Sequence, residues 1–302
     1  MGEEGAVIVD NVFHQPALGA PIAIYFYMTG LSAGSFILST MAYGFGMAKY
    51  KPIGKVGVTL AILLLVLAPL NLIVDLRQPL RFWHLLIYLQ PTSPISWGSF
   101  LLILYPLDSL VYATFMFLGN MKMTRLFGMI GIPLAISVHG YTGFILALTK
   151  SSALWNTALM PIYFLVSAMV SGIALMILVV VIQGLVFSPE HKVNAPLAFD
   201  LGQMLSLTIL LDLFLVFSDV ILLLTADPEA REAAYMLLSG SFSPYFLGVE
   251  ILLGALVPVA LLMFPFTRRR LAPVSVAAFL SMVGIMAMRY VMVIGGQALP
   301  LA

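Results

Sequence analysis

The stretch "VGVTLAILLLVLAPLNLIVD", residues 56–75, runs for nineteen residues without a charge and then stops on an aspartate. About 20 apolar residues in a helix cross the hydrocarbon core of a bilayer. The segment therefore reads as a membrane span with Asp75 at one end. Pro69 within it is no objection, because neighbouring helices in a bundle satisfy the carbonyl that a proline frees. Seven further segments have the same character, at approximately 21–48, 95–119, 124–149, 157–187, 197–225, 245–266 and 271–294, with the quoted one counted as 55–75. Polar or proline-rich breaks such as "KYKPIGK", "LGNMKMTR", "SPEHKVNAP" and "FTRRRLAP" separate them. The expected fold is an all-α integral membrane protein with eight transmembrane helices.

Composition agrees. Of 302 residues 62% are hydrophobic and only 9% charged, against roughly 25% charged in soluble domains. A net charge of +1 leaves no basic face for a nucleic acid. The absence of cysteine removes disulfides, thiolate-ligated zinc and iron–sulfur clusters held by this protein. Residues 1–20 open with "MGEEGAVIVD", acidic where a signal peptide would be basic, so they read as a short outer segment and not as a cleavable leader. The connections after helices 1, 3, 5 and 7 carry nine lysines and arginines, among them Lys49, Lys55, Arg125 and Arg268–Arg270. The rest of the sequence carries five, Arg77, Arg81, Lys150, Arg231 and Arg289. The positive-inside rule then puts the odd-numbered connections in the cytoplasm and both termini outside, with the longer loops 76–94 and 226–244.

Helices 1 and 5 echo one another, "YFYMTGLSAG" from Tyr25 and "YFLVSAMVSG" from Tyr163. Helices 3 and 7 both open on Ser-Pro, with Gly98 and Gly248 four residues after the proline. The pattern suggests two four-helix bundles, 21–150 and 151–302, as a parallel repeat; small-residue packing between helices is the simpler source of such echoes.

Ionisable groups in hydrocarbon are costly and usually face a bundle interior or a wet cavity. Tyr25, Asp75, Ser96, Trp97, His139 and Tyr141 come from four helices at a similar outer depth, with Arg77 two residues past Asp75. A quinone headgroup needs hydrogen-bond donors at its carbonyls and a group that exchanges protons, and its tail needs an apolar slot. Simpler readings stand beside this one. Trp97, Trp83 and Tyr88 suit an interfacial belt, Arg77 suits pairing with Asp75, and Tyr25 and His139 suit core packing. In the second half Asp219, Glu250 and Arg289 share one depth, and Asp108 and Asp212 lie nearer mid-membrane. They read either as a buried ionic lock or as a proton route. Only His139 among the four histidines is plainly inside a span, too few for a bis-histidine haem. A redox role would then need electrons from a cluster on another subunit.

The motifs "GLSAGSFIL" (30–38), "DLRQPLRFWH" (75–84), "PTSPISWGSF" (91–100), "YTGFILALTKSSALWN" (141–156) and "RYVMVIGGQ" (289–297) resemble the NrfD/polysulfide-reductase membrane-subunit family. The resemblance implies a haem-free quinone-reactive subunit of a respiratory oxidoreductase in a prokaryotic cytoplasmic membrane. Menaquinone is the expected quinone. A four-cluster iron–sulfur subunit would dock on the outer loops, with a molybdopterin or other catalytic subunit beyond it. By the same resemblance Tyr141 matches the quinone tyrosine, Asp75 the acidic residue ending helix 2, and His139 a polar pocket residue of some members. Ile22 and Tyr25 stand where the polysulfide-reductase pattern has an asparagine and a histidine. The rival readings are a secondary transporter of a small solute or ion, and a passive anchor for an external enzyme.

Overall fold

The structure is a computed structural model that describes residues 18–76, 78–88, 90, 92–149, 152–187 and 192–298. Arg77, His14, Lys150 and His191 lie outside the described residues. Among the described residues eight helices are long and apolar enough to cross a membrane: α1 (Ala20–Tyr43), α2 (Ala48–Asp75), α3 (Pro94–Phe117), α4 (Met121–Leu148), α5 (Met160–Phe187), α6 (Ala195–Thr225), α7 (Pro244–Met263) and α8 (Leu271–Gly295). There is no strand among those residues.

The two largest departures of helix ends from the sequence expectation, at the end of α1 and the start of α2, each have a local reason. The first helix was expected to reach residue 48 but stops at Tyr43, because Gly46 turns the backbone at φ +73°, a conformation glycine adopts without strain. The second was expected to begin at residue 55 after the break "KYKPIGK", yet the helix is under way by Lys51. Pro52 sits in the first turn, where its missing N–H would have had no partner anyway. Asn120 and Asn194 cap α4 and α6, their side chains accepting from Met123 N–H at 3.3 Å and Leu197 N–H at 3.4 Å.

Helix α1 packs on α2, α4, α5 and α8, while α5 packs on α6, α8, α4 and α1. These two helices form the wall between the halves of the molecule. In the most apolar stretch of α1 78% of residues are buried, against 28% in α2 and in α3, so α1 is a core helix and the other two face outward. Small residues make this possible. A Cβ on Gly34 would stand 2.6 Å from Gly172 Cα and 3.0 Å from the Ala168 carbonyl oxygen. The backbones of α1 and α5 therefore touch directly. Gly254 of α7 and Gly284 of α8 make a second such crossing. Lipid is as apolar as leucine, so close packing and hydrogen bonds hold helices together in a membrane. Ser32 Oγ donates to the Ala61 carbonyl at 3.0 Å and Ser39 Oγ to the Gly54 carbonyl at 2.6 Å, tying α1 to α2.

The connection from α2 to α3 carries a 3₁₀ turn, Pro79–Arg81, and a helical turn, His84–Ile87; that from α6 to α7 carries the helix Pro228–Leu238. Both lie at the face where α1 begins, called the N-terminal face below. The opposite, basic face holds an ion pair between Lys49 and Asp200 at 3.0 Å.

Gly34→Val forces two backbones apart and should lower stability by roughly 1–3 kcal/mol, read as a lower thermal midpoint in detergent. Gly248→Ala, whose added methyl would meet nothing within 4 Å, should leave the midpoint unchanged.

Candidate functional site

The site is built around the start of α1. Residues 18 and 19 are held from two sides. Both carboxylate oxygens of Asp75, at the end of α2, accept from the Gly19 N–H at 3.1 and 3.2 Å. At the far end of α8, Gln297 Oε1 accepts from Leu18 N–H at 2.9 Å, and its Nε2 donates to the Leu18 carbonyl at 2.9 Å and the Val293 carbonyl at 2.7 Å. A carboxylate at a helix N-terminus satisfies an orphan N–H and meets the positive end of the helix dipole. Asp75 therefore has a structural partner that its sequence neighbours did not reveal. A side chain on Gly19 would strike Asp75 Oδ1, so the fit requires glycine.

One turn inward, Tyr25 of α1 and Tyr141 of α4 are close enough to interact electrostatically. The Tyr141 phenol lies directly on the backbone of Gly98 in α3, so closely that a Cβ there would overlap it. An open groove of about 560 Å³ runs between the end of α2, the following loop and the start of α3, lined by Leu76, Gln78, Arg81, His84, Gln90 and Ser96 among others. Its size is that of a small-molecule site. Ser96 Oγ accepts from Gln90 N–H at 3.1 Å, which fixes the groove's inner lip. Trp83, His84 and Tyr88 stack on its rim, with ring centroids 3.8 and 5.5 Å apart. Gln78 and Gln90 were not singled out from the sequence; their place in the polar stretch after α2 was the available signal.

Of the described residues expected in the pocket only Ser96 lines the groove; Tyr25, Asp75, Trp97, His139 and Tyr141 are not among its lining residues, and Trp97 is 60% exposed. His139 is fully buried but packs against Gly30 of α1, with Nε2 3.1 Å from where a Cβ would stand, and it interacts with Arg289 of α8. Two residues of helix turn through about 200°, so His139 and Tyr141 occupy opposite sides of α4. His139 is thus a residue of the wall between the halves, with no hydrogen-bond partner on either ring nitrogen among the described residues.

The second half holds its own polar system. Tyr163 of α5 donates to Glu250 Oε1 at 2.6 Å, and Glu250, Asp212, Asp219 and Arg289 interact electrostatically. Of the two readings of this group, the ionic lock is not seen as a direct ion pair among the described residues. Among the described residues no carboxylate lies within 4 Å of the Arg289 guanidinium. Its Nη2 instead donates to the Phe164 carbonyl at 3.0 Å and Ser167 Oγ at 2.7 Å, and the group stacks 3.8 Å over the Phe164 ring. A carbonyl, a hydroxyl and a ring face hold the buried cation here, while Nε and Nη1 have no hydrogen-bond partner among the described residues. A cavity of about 10 Å³ lies between Asp212 and Glu250, near the least that holds one water. Trp155, from the connection into α5, closes this half by donating its indole N–H to the Met292 carbonyl at 2.6 Å. Asp108 lies apart from all of this, in the first half, against Gly131 of α4.

Eight long apolar helices with buried carboxylates and an opening on one face define a multi-pass membrane protein with an internal polar site. The protein belongs to the family described as polysulphide reductase, NrfD, which it matches over residues 10–301. It is 29% identical to the C subunit of selenate reductase from Mesobacillus selenatarsenatis, over 93% of its own length and 74% of that relative. It is 28% identical to the Hdr-like menaquinol oxidoreductase integral membrane subunit of Archaeoglobus fulgidus, over 91% of its own length and 69% of that relative. With the C component of polysulfide reductase from Wolinella succinogenes the identity is 29%, over 92% of its own length and 93% of that relative.

Tyr163→Phe strips the donor from Glu250 Oε1, and Oε2 already lacks one. The expected cost is about 1–3 kcal/mol, seen as a fall in thermal midpoint of the purified protein. Glu250→Gln, which keeps an acceptor for Tyr163, should fall less.

Proposed function

We propose that this protein is the quinone-reactive subunit of a respiratory oxidoreductase. It exchanges electrons between membrane quinone, expected to be menaquinone, and an iron–sulfur subunit on the N-terminal face, and is not active alone. The observation that carries this reading is a groove of about 560 Å³ between the end of α2 and the start of α3, lined by Arg81, His84 and Ser96 among others, with Asp75 ending α2 and the Tyr141 phenol on Gly98 of α3. An integral membrane subunit of a menaquinol oxidoreductase and subunits of two reductases are among its relatives, which supports the class of reaction.

The residues fit a quinone. Tyr141 donates its hydroxyl to one headgroup carbonyl, held in place by the Gly98 backbone beneath its ring. Oxidation of a quinol releases two electrons and two protons. Asp75, next in sequence to the lining residue Leu76, takes a proton in this reading. Arg81 and His84 on the rim supply positive or hydrogen-bonding groups for orientation, and apolar surface between helices receives the isoprenoid tail. His139 does not touch the headgroup in this reading.

With nine of fourteen basic residues assigned to the connections of the basic face, that face is cytoplasmic and the N-terminal face external. The exposed aromatic rim formed by Trp83 and Tyr88, together with the helix Pro228–Leu238, is then the docking surface for the iron–sulfur subunit, with a molybdopterin or other catalytic subunit beyond it. The two halves are read as a parallel repeat whose axis passes the Gly34–Gly172 crossing. These two glycines occupy corresponding places in the echoing sequences, which supports that reading.

Asp75→Asn keeps an acceptor for the Gly19 N–H, and Tyr141→Phe keeps the ring on Gly98, so the complex should assemble with either change. Each should slow quinone turnover by about a hundredfold, the usual weight of a positioned proton-transfer group. Turnover at the original rate in both variants, measured on complex purified from membranes, rules out these roles. Extraction of the unaltered complex should yield bound menaquinone, which neither a transporter nor a passive anchor would hold.

A further inference from the structure

The basic face has a recess of its own. About 180 Å³ lies between the start of α2, the end of α5 and the segment leading into α6. Its lining is half apolar, from Pro52, Val180 and Leu197, and half polar, from Gln183, Lys192 and Asn194. Gly184 shapes it. A Cβ on that residue would overlap Val193 Cα, so the chain that leaves α5 folds back onto the helix's own last turn. The recess joins the two halves of the molecule, since α2 belongs to the first and α5 and α6 to the second. Slightly deeper, Gly57 of α2 lies against Met176 of α5, with Sδ 3.5 Å from where a Cβ would stand.

Gln183 is the only polar side chain between Ser171 and Ser188. It opens a turn, Gln183–Phe187, that is wound as a π-helix, a rare winding that recurs at functional sites. Reaching for water at the end of a span accounts for Gln183 alone. It does not account for what surrounds it. Ile182, Leu185, Val186 and Phe187 are all more than half exposed on a helix that crosses the membrane, so the recess lies beside lipid. Its charge balance is positive among the described residues. Lys192 lines it, and Lys51 is next in sequence to Pro52. The first acid along α6, Asp200, is neutralised by Lys49 at 3.0 Å. A volume of about 180 Å³ is too small for a whole small-molecule ligand, which takes roughly 300–1,000 Å³. It suits an anionic group whose remainder stays outside.

We propose that this recess binds the phosphate and glycerol of an anionic phospholipid, whose acyl chains lie along Leu185, Val186 and Phe187. Basic pockets between helices at the cytoplasmic side of a membrane hold such head groups. Lys192 supplies the charge. The side-chain amides of Gln183 and Asn194 donate hydrogen bonds to the phosphate oxygens, and Asn194 does so through Nδ2 while its Oδ1 caps α6. Both α2 and α6 begin on this face, so the positive ends of their dipoles add to the attraction. A free phosphate offers the same oxygens, but it leaves the exposed apolar residues of the last turn of α5 unused. The bound lipid ties α2 to α5 and α6, and so fastens the two halves at the basic face. The site is independent of the quinone groove on the opposite face.

The test uses the complex purified in a neutral detergent and stripped of lipid by repeated exchange. Phosphatidylglycerol, phosphatidylcholine or glycerol 3-phosphate is then added back while the thermal midpoint is followed. Phosphatidylglycerol should raise the midpoint to a plateau, and high salt should weaken the effect. Phosphatidylcholine and glycerol 3-phosphate should not raise it. Lys192→Gln should weaken the phosphatidylglycerol titration about fivefold, the weight of one lysine at an anionic surface. Arg125→Gln, elsewhere on the basic face, should leave it unchanged. Both residues are exposed, so neither change should disturb folding. In native mass spectrometry the double variant Lys192→Gln/Gln183→Leu should retain one phosphatidylglycerol fewer than the unaltered complex. An equal response to phosphatidylcholine, or to glycerol 3-phosphate alone, overturns the lipid site. So does a Lys192→Gln complex that titrates like the original, or an Arg125→Gln complex that loses as much affinity.

Discussion

The contact on which the rest depends is the crossing of α1 and α5 at Gly34 and Gly172. No hydrophobic force draws two helices together in lipid, so these two are joined by how closely their backbones approach. Glycine at both positions permits that approach, and any Cβ on either would end it. Once the crossing is made, α1 lies in the centre of the molecule. Its serines then face α2 and α3, its Gly30 receives His139 from α4, and its first residues lie within reach of both Asp75 and Gln297.

That last placement gives Asp75 two duties. It holds the N-terminal end of α1 through the Gly19 N–H, and its neighbour Leu76 lines the groove. A protonated carboxyl is a weaker acceptor than a carboxylate and meets the helix dipole less favourably. In the proposed reaction, a proton arriving on Asp75 therefore loosens the clamp on residue 19. The neighbouring Leu18 is tied through Gln297 to the end of α8. Chemistry at the groove and the joint between the two halves share a few ångströms of backbone.

The spans were legible because length and apolarity alone fix them, and lipid tolerates few alternatives. Their ends were less so. Pro52 was read as a break although a proline in the first turn starts a helix, and the run through Gly44 and Gly46 was read as helix although glycine ends one. Asp75 and Tyr141 stood out because polar groups are expensive at that depth. The partners of residues 18 and 19 did not, since Leu18 and Gln297 are 279 residues apart and no local pattern links them. The orientation of His139 was available in principle. The buried residues of α4, among them Gly128, Gly131, Ala135, Val138, His139, Thr142 and Leu146, form a stripe at helical spacing, and Tyr141 lies off it.

Arg289 shows why composition could not separate a lock from a route. A direct ion pair with Asp212 or Glu250 would be favourable only with excellent geometry, and once made it would hold both partners still. The structure keeps the guanidinium on Phe164 and Ser167, out of contact with the carboxylates but within their electrostatic reach. Two of its nitrogens and both nitrogens of His139 are left without hydrogen bonds among the described residues. Tyr163 ties Glu250 to α5 through Oε1. The polar interior is thus divided by the α1–α5 wall into two systems. One is a row of hydroxyls around Asp108, the other a set of carboxyls around Arg289, and His139 lies in the wall between them.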